Sequence, residues 1–140
     1  MKHAEPWPHG ANVMDLDGPE RIVVVAHRGD SGNHPENTRA AFEAAVALRV
    51  ECIELDVHLS ADGEIVVMHD KELGRTCSGE GSIAELNWSY LAQQDAGAWM
   101  GDEFAGEPIP LLSQVFSDIP LPVMVEIKPE GEEIVRRTCE

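Results

Sequence analysis

Residues Ile22-Val23-Val24-Val25-Ala26 form an unbroken apolar, largely β-branched run that stops abruptly at His27-Arg28-Gly29. A strand with one wet face alternates apolar and polar residues, whereas a continuous run suits a strand covered on both faces, as in a parallel sheet. A parallel neighbour needs a crossover of about a dozen residues or more. The chain supplies one. A loop rich in Gly, Ser, Asn and Pro leads to Pro35, and Asn37-Thr38 can cap a helix running to about Arg49. Phe42, Ala45, Val46 and Leu48 give that helix an apolar face, and a second strand follows over Glu51–Leu59. The order strand, helix, strand is a βαβ unit.

The next connection differs in kind. Ser60-Ala61-Asp62-Gly63 is too short for a crossover, and Asp-Gly between apolar runs signals a hairpin. Glu64–Met68 is therefore expected to fold back on the second strand. Pairing about that turn puts His69 level with Glu54 to Asp56. Beyond it, one short helix is expected near Ile83–Gln93, with Ser82 and Glu85 as a capping box. Trp88, Leu91 and Trp99 offer bulk to bury. A helix of two to three turns follows Pro110. Pro122–Lys128 reads as a further strand, apolar first and charged at its end, and Glu132–Arg137 as an amphipathic helix. Residues 1–20 hold three prolines and little periodicity, and are read as a flexible extension ahead of a domain over 21–140.

Composition narrows the partners. Net charge is −16, with acids outnumbering bases in both halves of the chain, which argues against nucleic acid or an anionic membrane bound through a basic face. The N-terminal segment lacks the apolar core of a signal peptide, and no stretch approaches the ~18 apolar residues of a membrane span. Cys52, Cys77 and Cys139 are odd in number and form no CxxC pair, so they read as free thiols in a reducing compartment. The expectation is a soluble, cytoplasmic protein.

The strand ends carry the chemistry. The first strand ends in His27 and Arg28, the last in Glu126 and Lys128, and the strand between contributes Glu54 and Asp56. In α/β sheets the site lies at the carboxyl ends of parallel strands. Period two sets Glu54, Asp56 and His58 on one face. An exposed strand face would give the same spacing. Buried together, however, such carboxylates repel unless a cation joins them, and oxygen ligands suit Mg²⁺ or Ca²⁺. His27 and His69 beside that cation can act as general acid and general base. Arg28 and Lys128 can hold an anion, one as a fork and one as a point charge. His34 and His58 read as structural or solvent-facing.

At these residues a resemblance emerges. His27-Arg28-Gly29, Pro35-Glu36-Asn37-Thr38 and Ala41-Phe42 resemble the opening signature of the glycerophosphodiester phosphodiesterases. The likeness continues through Ile53-Glu54-Leu55-Asp56-Val57, Asp62-Gly63, and His69-Asp70 with Leu73-Gly74-Arg75-Thr76. It runs on through Asp95-Ala96-Gly97, Trp99, Phe104–Glu107 and Ile109-Pro110 to Glu126-Ile127-Lys128. The resemblance implies an α/β fold, a TIM-type (β/α) barrel, that hydrolyses glycerophosphodiesters to an alcohol and glycerol 3-phosphate with a divalent cation. It assigns the catalytic pair to His27 and His69, the metal carboxylates to Glu54, Asp56 and Glu126, and the phosphate-holding bases to Arg28 and Lys128. Glu36 and Asn37 match positions that shape the loop beside the site.

Two departures, Val50 and Cys77, lie away from that chemistry. Length is the larger one. With 140 residues the chain is short of the roughly 200 or more that a (β/α)8 barrel needs. It is expected to form roughly the first half of the barrel, with open edges that invite self-association or a separate C-terminal half. Weak or no activity is expected of the chain by itself.

Overall fold

The structure is a computed structural model and describes residues 22–140. The expected extension over 1–20 lies outside the described residues. Four strands form one sheet: β1 (Val25–His27), β2 (Cys52–Leu59), β3 (Ile65–Val67) and β4 (Val123–Ile127). Helix α1 (Arg39–Ala47) carries the crossover from β1 to β2, and α3 (Leu112–Asp118) precedes β4. Helix α4 (Glu132–Cys139) follows β4, and a short α2 (Trp88–Leu91) lies in the long connection between β3 and α3.

Strand β2 organises the sheet. β1 pairs with it in parallel from Cys52 to Glu54, and β3 in antiparallel fashion from Val57 to Leu59. β4 runs parallel along Ile53–Val57. Since β4 overlaps both other registers, it occupies one edge of β2, and β1 and β3 share the opposite edge. The hydrogen bonds agree. Arg28 N–H donates to Glu54 O at 2.9 Å and Met68 N–H to Asp56 O at 3.0 Å on the shared edge. Lys128 N–H donates to Val57 O at 3.1 Å on the other. β1 and β3 thus point at each other head to head, with Leu55 between their ends.

The two faces of β2 have different tasks. Ile53, Leu55 and Val57 are fully buried and pack with Phe42 and Ala45 of α1, Leu112 and Val115 of α3, and Ile134 of α4. This is the main core, built on the period-two alternation expected for a strand. The other face carries Glu54, Asp56 and His58. A second cluster, built on Val66, Met68, Leu73, Ile83, Leu91 and Ile109, packs the long connection against β3.

Most expected elements form, and the differences are informative. Thr38 caps α1, its hydroxyl accepting from Ala41 N–H at 3.3 Å. The single helix expected near Ile83–Gln93 is instead a 3-10 turn at Ile83–Glu85 and the separate α2, broken by extended backbone at Leu86. Ser82 makes no side-chain cap. The Asp62 carboxylate, reaching over from the hairpin, accepts from Trp88 N–H at 2.9 Å and starts α2 there. Trp99 stays 44% exposed rather than buried. The first strand is shorter than its apolar run, and Ile22, Val23, Val24 and Val25 are exposed rather than covered on both faces. Among the described residues β1 has only β2 as a strand neighbour, so its other edge is unpaired there.

Candidate active site at the junction of two strands

His27 closes β1 opposite Glu54, and His69 follows β3 just past the Met68–Asp56 pair. The head-to-head strands therefore bring both histidines to the stretch of β2 that bears Glu54 and Asp56, as the hairpin register implied. From the other edge, β4 sets Glu126 directly opposite Asp56. Glu54, Asp56 and Glu126 each turn a carboxylate oxygen to a common point, the three lying within 4.8 Å of one another.

Charge is concentrated here under unequal burial. Asp56 is fully buried, Glu54 nearly so, and Glu126 exposed. Burial first, and then the neighbouring charges of Asp56 and Glu126, push the Glu54 carboxyl above its ordinary range, partly offset by the Arg28 N–H at 3.1 Å. Burial would do the same to Asp56. There the Asn37 amide at 2.8 Å, Lys128 and Arg28 outweigh it and hold the carboxyl below its usual value. Lys128 Nζ lies 3.0 Å from Asp56 Oδ1 and 2.6 Å from Glu126 Oε1, and Arg28 Nε lies 3.3 Å from Asp56 Oδ2. Neither approach to Asp56 has hydrogen-bond alignment, so Asp56 Oδ1 and Arg28 Nε are buried polar atoms held by charge alone.

Backbone strain marks the same place. Arg28 and Asn37 both take left-handed conformations, with φ of 58° and 59°. Such geometry costs about 1–2 kcal/mol in a residue with a Cβ and persists only where surroundings enforce it. Here Arg28 N–H is shared by the Glu54 carbonyl and carboxylate, and Asn37 N–H donates to Arg28 O at 3.1 Å. The strain turns the guanidinium inward to Asp56 and lays the Asn37 amide on the same carboxylate. Gly29 completes the turn at φ 79°, and a Cβ there would stand 2.7 Å from the Ala41 backbone, so only glycine lets α1 come so close.

Each residue singled out in the sequence has a place. His27 is exposed, with Nε2 3.9 Å from Glu54 Oε2. Glu36 does not approach the carboxylate triad; it bridges Arg28 at 3.1 Å and Arg75 at 2.8 Å. His58 is buried and its Nε2–H donates to the His69 carbonyl at 2.9 Å, a structural role, while burial pushes its ring below the ordinary value. His34 pairs with Asp30 and rests edge-on against Phe104. Two residues were not singled out as site residues. Asp70 accepts from His69 Nδ1 at 2.7 Å, and Arg75 grips Asp70 at 2.6 and 2.9 Å. The adjacency of His69 and Asp70 was the available signal.

Known proteins resemble this chain in sequence and in fold. Residues 27–140 match the glycerophosphoryl diester phosphodiesterase family. A glycerophosphodiester phosphodiesterase of Caldanaerobacter subterraneus subsp. tengcongensis is 47% identical over 111 residues, which cover 77% of this chain and 46% of the relative. One from Bacillus subtilis is 36% identical over 113 residues, covering 75% of this chain and 39% of the relative. Among solved structures, an Oleispira antarctica phosphodiesterase in complex with the product sn-glycerol-3-phosphate aligns with a TM-score of 0.73 at 41% identity. That alignment covers 78% of this chain and 45% of the neighbour. A glycerophosphodiester phosphodiesterase from Agrobacterium tumefaciens aligns with the same score at 36% identity, over 78% of this chain and 48% of its own. This chain spans less than half the length of each of these proteins. The neighbours are TIM-type barrels, and the sheet described here is an α/β segment amounting to about half of one. With the family match running from the first site histidine through β4 and α4, the chain belongs to the glycerophosphoryl diester phosphodiesterase family.

Proposed function

We propose that this chain carries the acid–base and cation-binding part of a domain that hydrolyses glycerophosphodiesters to an alcohol and glycerol 3-phosphate. The observation that carries the reading is the head-to-head delivery of His27 and His69 onto the Glu54–Asp56 stretch of β2. The sn-glycerol-3-phosphate of the Oleispira antarctica neighbour supports the product class.

The residues fit a divalent cation, Mg²⁺ or Ca²⁺. Glu54, Asp56 and Glu126 offer only hard oxygen ligands, and Asp56 Oδ1 lacks an aligned hydrogen bond despite full burial. When bound, the cation would offset negative charge on the phosphodiester and on the departing oxygen. The chain's own groups do the rest. Arg28 and Lys128, which lie beside Asp56, hold phosphate oxygens in this reading. One histidine takes a proton from the nucleophile, water or the substrate's own glycerol hydroxyl, as its oxygen bonds to phosphorus, and the other gives one to the alkoxide whose P–O bond breaks. Where the glycerol hydroxyl attacks, water then opens the cyclic phosphate to glycerol 3-phosphate. Asn37 and Glu36 hold Asp56 and Arg28 in position. The free cysteines fit a reducing cytoplasm, and among the described residues no helix is long and apolar enough to cross a membrane.

A second reading rests on the exposed Ile22–Val25 edge: the isolated chain is inactive until a C-terminal half, or a second copy, covers β1. One assay separates the two. Glycerophosphocholine hydrolysis is measured with Mg²⁺ or Ca²⁺, for the chain alone and for the chain mixed with a relative's C-terminal half. Hydrolysis by the mixture is expected, falling about 10²–10⁴-fold in His27→Ala or His69→Ala. Undiminished turnover in either variant refutes the role of that histidine. Full turnover by a demonstrated monomer refutes the partner-dependent reading.

A further inference from the structure

The long connection between β3 and α3 carries a chain of ion pairs that the proposed reaction leaves unexplained. His69 Nδ1 lies 2.7 Å from Asp70 Oδ1. Arg75 binds both oxygens of that carboxylate, at 2.6 and 2.9 Å, and turns its remaining donors to Glu36 at 2.8 and 3.3 Å. Glu36 in turn holds Arg28 at 3.1 Å. The guanidinium first, and His69 after it, hold the Asp70 carboxyl far below its ordinary range, against the effect of burial. It is therefore an anion throughout the neutral range and can only accept.

We propose that Asp70, clamped by Arg75, is a positioning residue that keeps the proton of His69 on Nδ1 and so reserves Nε2 for the reaction. The carbonyl of His69 is pinned by His58 at 2.9 Å, so backbone and ring are fixed by separate contacts. Among the described residues Nε2 has no hydrogen-bond partner. A proton then arrives at Nε2 and leaves from it, while Nδ1 keeps its own. When the ring is doubly protonated, Asp70 also faces the positive charge. An aspartate orienting a catalytic imidazole in this way has large effects elsewhere because the wrong tautomer presents N–H where a lone pair is required. Through Glu36, the same clamp ties the ring to Arg28, so the phosphate-holding and proton-transferring groups share one scaffold. This proposal rests on the histidine reading above.

Nitrogen-15 multiple-bond correlation spectra of the whole chain at about pH 8.5, above the ordinary histidine range, read the tautomer directly. His69→Gln identifies the signal. The expected result is about tenfold preference for Nδ1–H in the unaltered chain, retained in Asp70→Glu. In Asp70→Asn an amide N–H can donate to Nδ1, and the balance is expected to fall to about parity or toward Nε2–H. A ring mainly in the Nε2–H form in the unaltered chain overturns the proposal. So does a folded Asp70→Asn chain that keeps Nδ1–H. If Asp70→Asn fails to fold, the unaltered chain and Asp70→Glu still decide. No hydrolysis enters this measurement. A wrong tautomer therefore removes Asp70's role alone, whereas hydrolysis surviving His69→Ala removes the histidine reading beneath it.

Discussion

β1 and β2 both carry apolar residues up to the candidate site, β1 after an unbroken run and β2 in alternation with Glu54, Asp56 and His58, and they meet opposite fates. Ile53, Leu55 and Val57 of β2 are fully buried, between β1 and β3 on one edge and β4 on the other, with helices over one face. Val24 and Val25, with Val23 and Ile22 before them, stay exposed, and among the described residues β1 has a strand neighbour on one edge only. An apolar run specifies the surroundings a strand requires. Whether they are present is decided by the rest of the fold.

The largest test of that contrast is truncation of one side chain in β2 and one in the apolar run that leads into β1. Leu55→Ala should destabilise the chain by about 2–5 kcal/mol, the range for a fully buried leucine. Val24→Ala should change stability by no more than about 0.5 kcal/mol, as at an exposed site. Denaturant unfolding measures both. Equal losses would mean that β1 is covered in solution, by a second copy or otherwise, and sedimentation would then show which.

The inner face of β2 offers a smaller but more specific test. With Glu54 and Asp56 crowded there, Mg²⁺ or Ca²⁺ should raise the melting temperature, by about 2.7 kcal/mol of stability at a hundred times the dissociation constant. Glu54→Gln should remove most of that gain, while Glu51→Gln beside β1 should not. A chain whose melting is indifferent to both cations would count against the carboxylate triad as a metal site.

The smallest effect expected is in pH dependence without added cation. Glu54 has a raised folded value, so its ionisation weighs against the fold as pH rises past the ordinary carboxylate range, and the cost is complete above its folded value. Asp56 and Asp70 have lowered folded values, so their contribution is present above about 3.9 and fades as pH falls through the folded values. Glu54 alone gives a fall in stability toward neutral pH, and His58, whose lowered folded value costs stability as pH drops below the ordinary histidine value, opposes it. Glu54→Gln should flatten the fall toward neutral pH and leave the loss in strong acid unchanged. The same decline toward neutrality in both proteins would assign it to the overall charge of −16 instead.

Much of the candidate site's geometry was legible because its residues lie at or near strand ends. The Asp62-Gly63 turn fixes the hairpin register, and register alone brings His69 to Glu54–Asp56. The division of Ile83–Gln93 into a turn and a short helix was not legible, because Asp62, distant in sequence, supplies the cap that Ser82 does not. Nor was the clamp of Glu36 and Arg75. It joins side chains 39 residues apart, and no local pattern encodes such a pairing.

Periodicity, turn chemistry and composition are local properties of the chain, and they suffice for the βαβ opening, the hairpin, and the acidic, histidine-bearing strand ends. Only the tertiary structure decided that β1 and β3 share one edge of β2 and meet head to head. It also decided that Asp56 is buried between Arg28 and Lys128, that Asp70, gripped by Arg75, meets the His69 ring, and that Ile22–Val25 are exposed. Each of these depends on which distant segment arrives beside a residue. That is a matter of long-range packing, and the physical chemistry of a stretch read alone does not contain it.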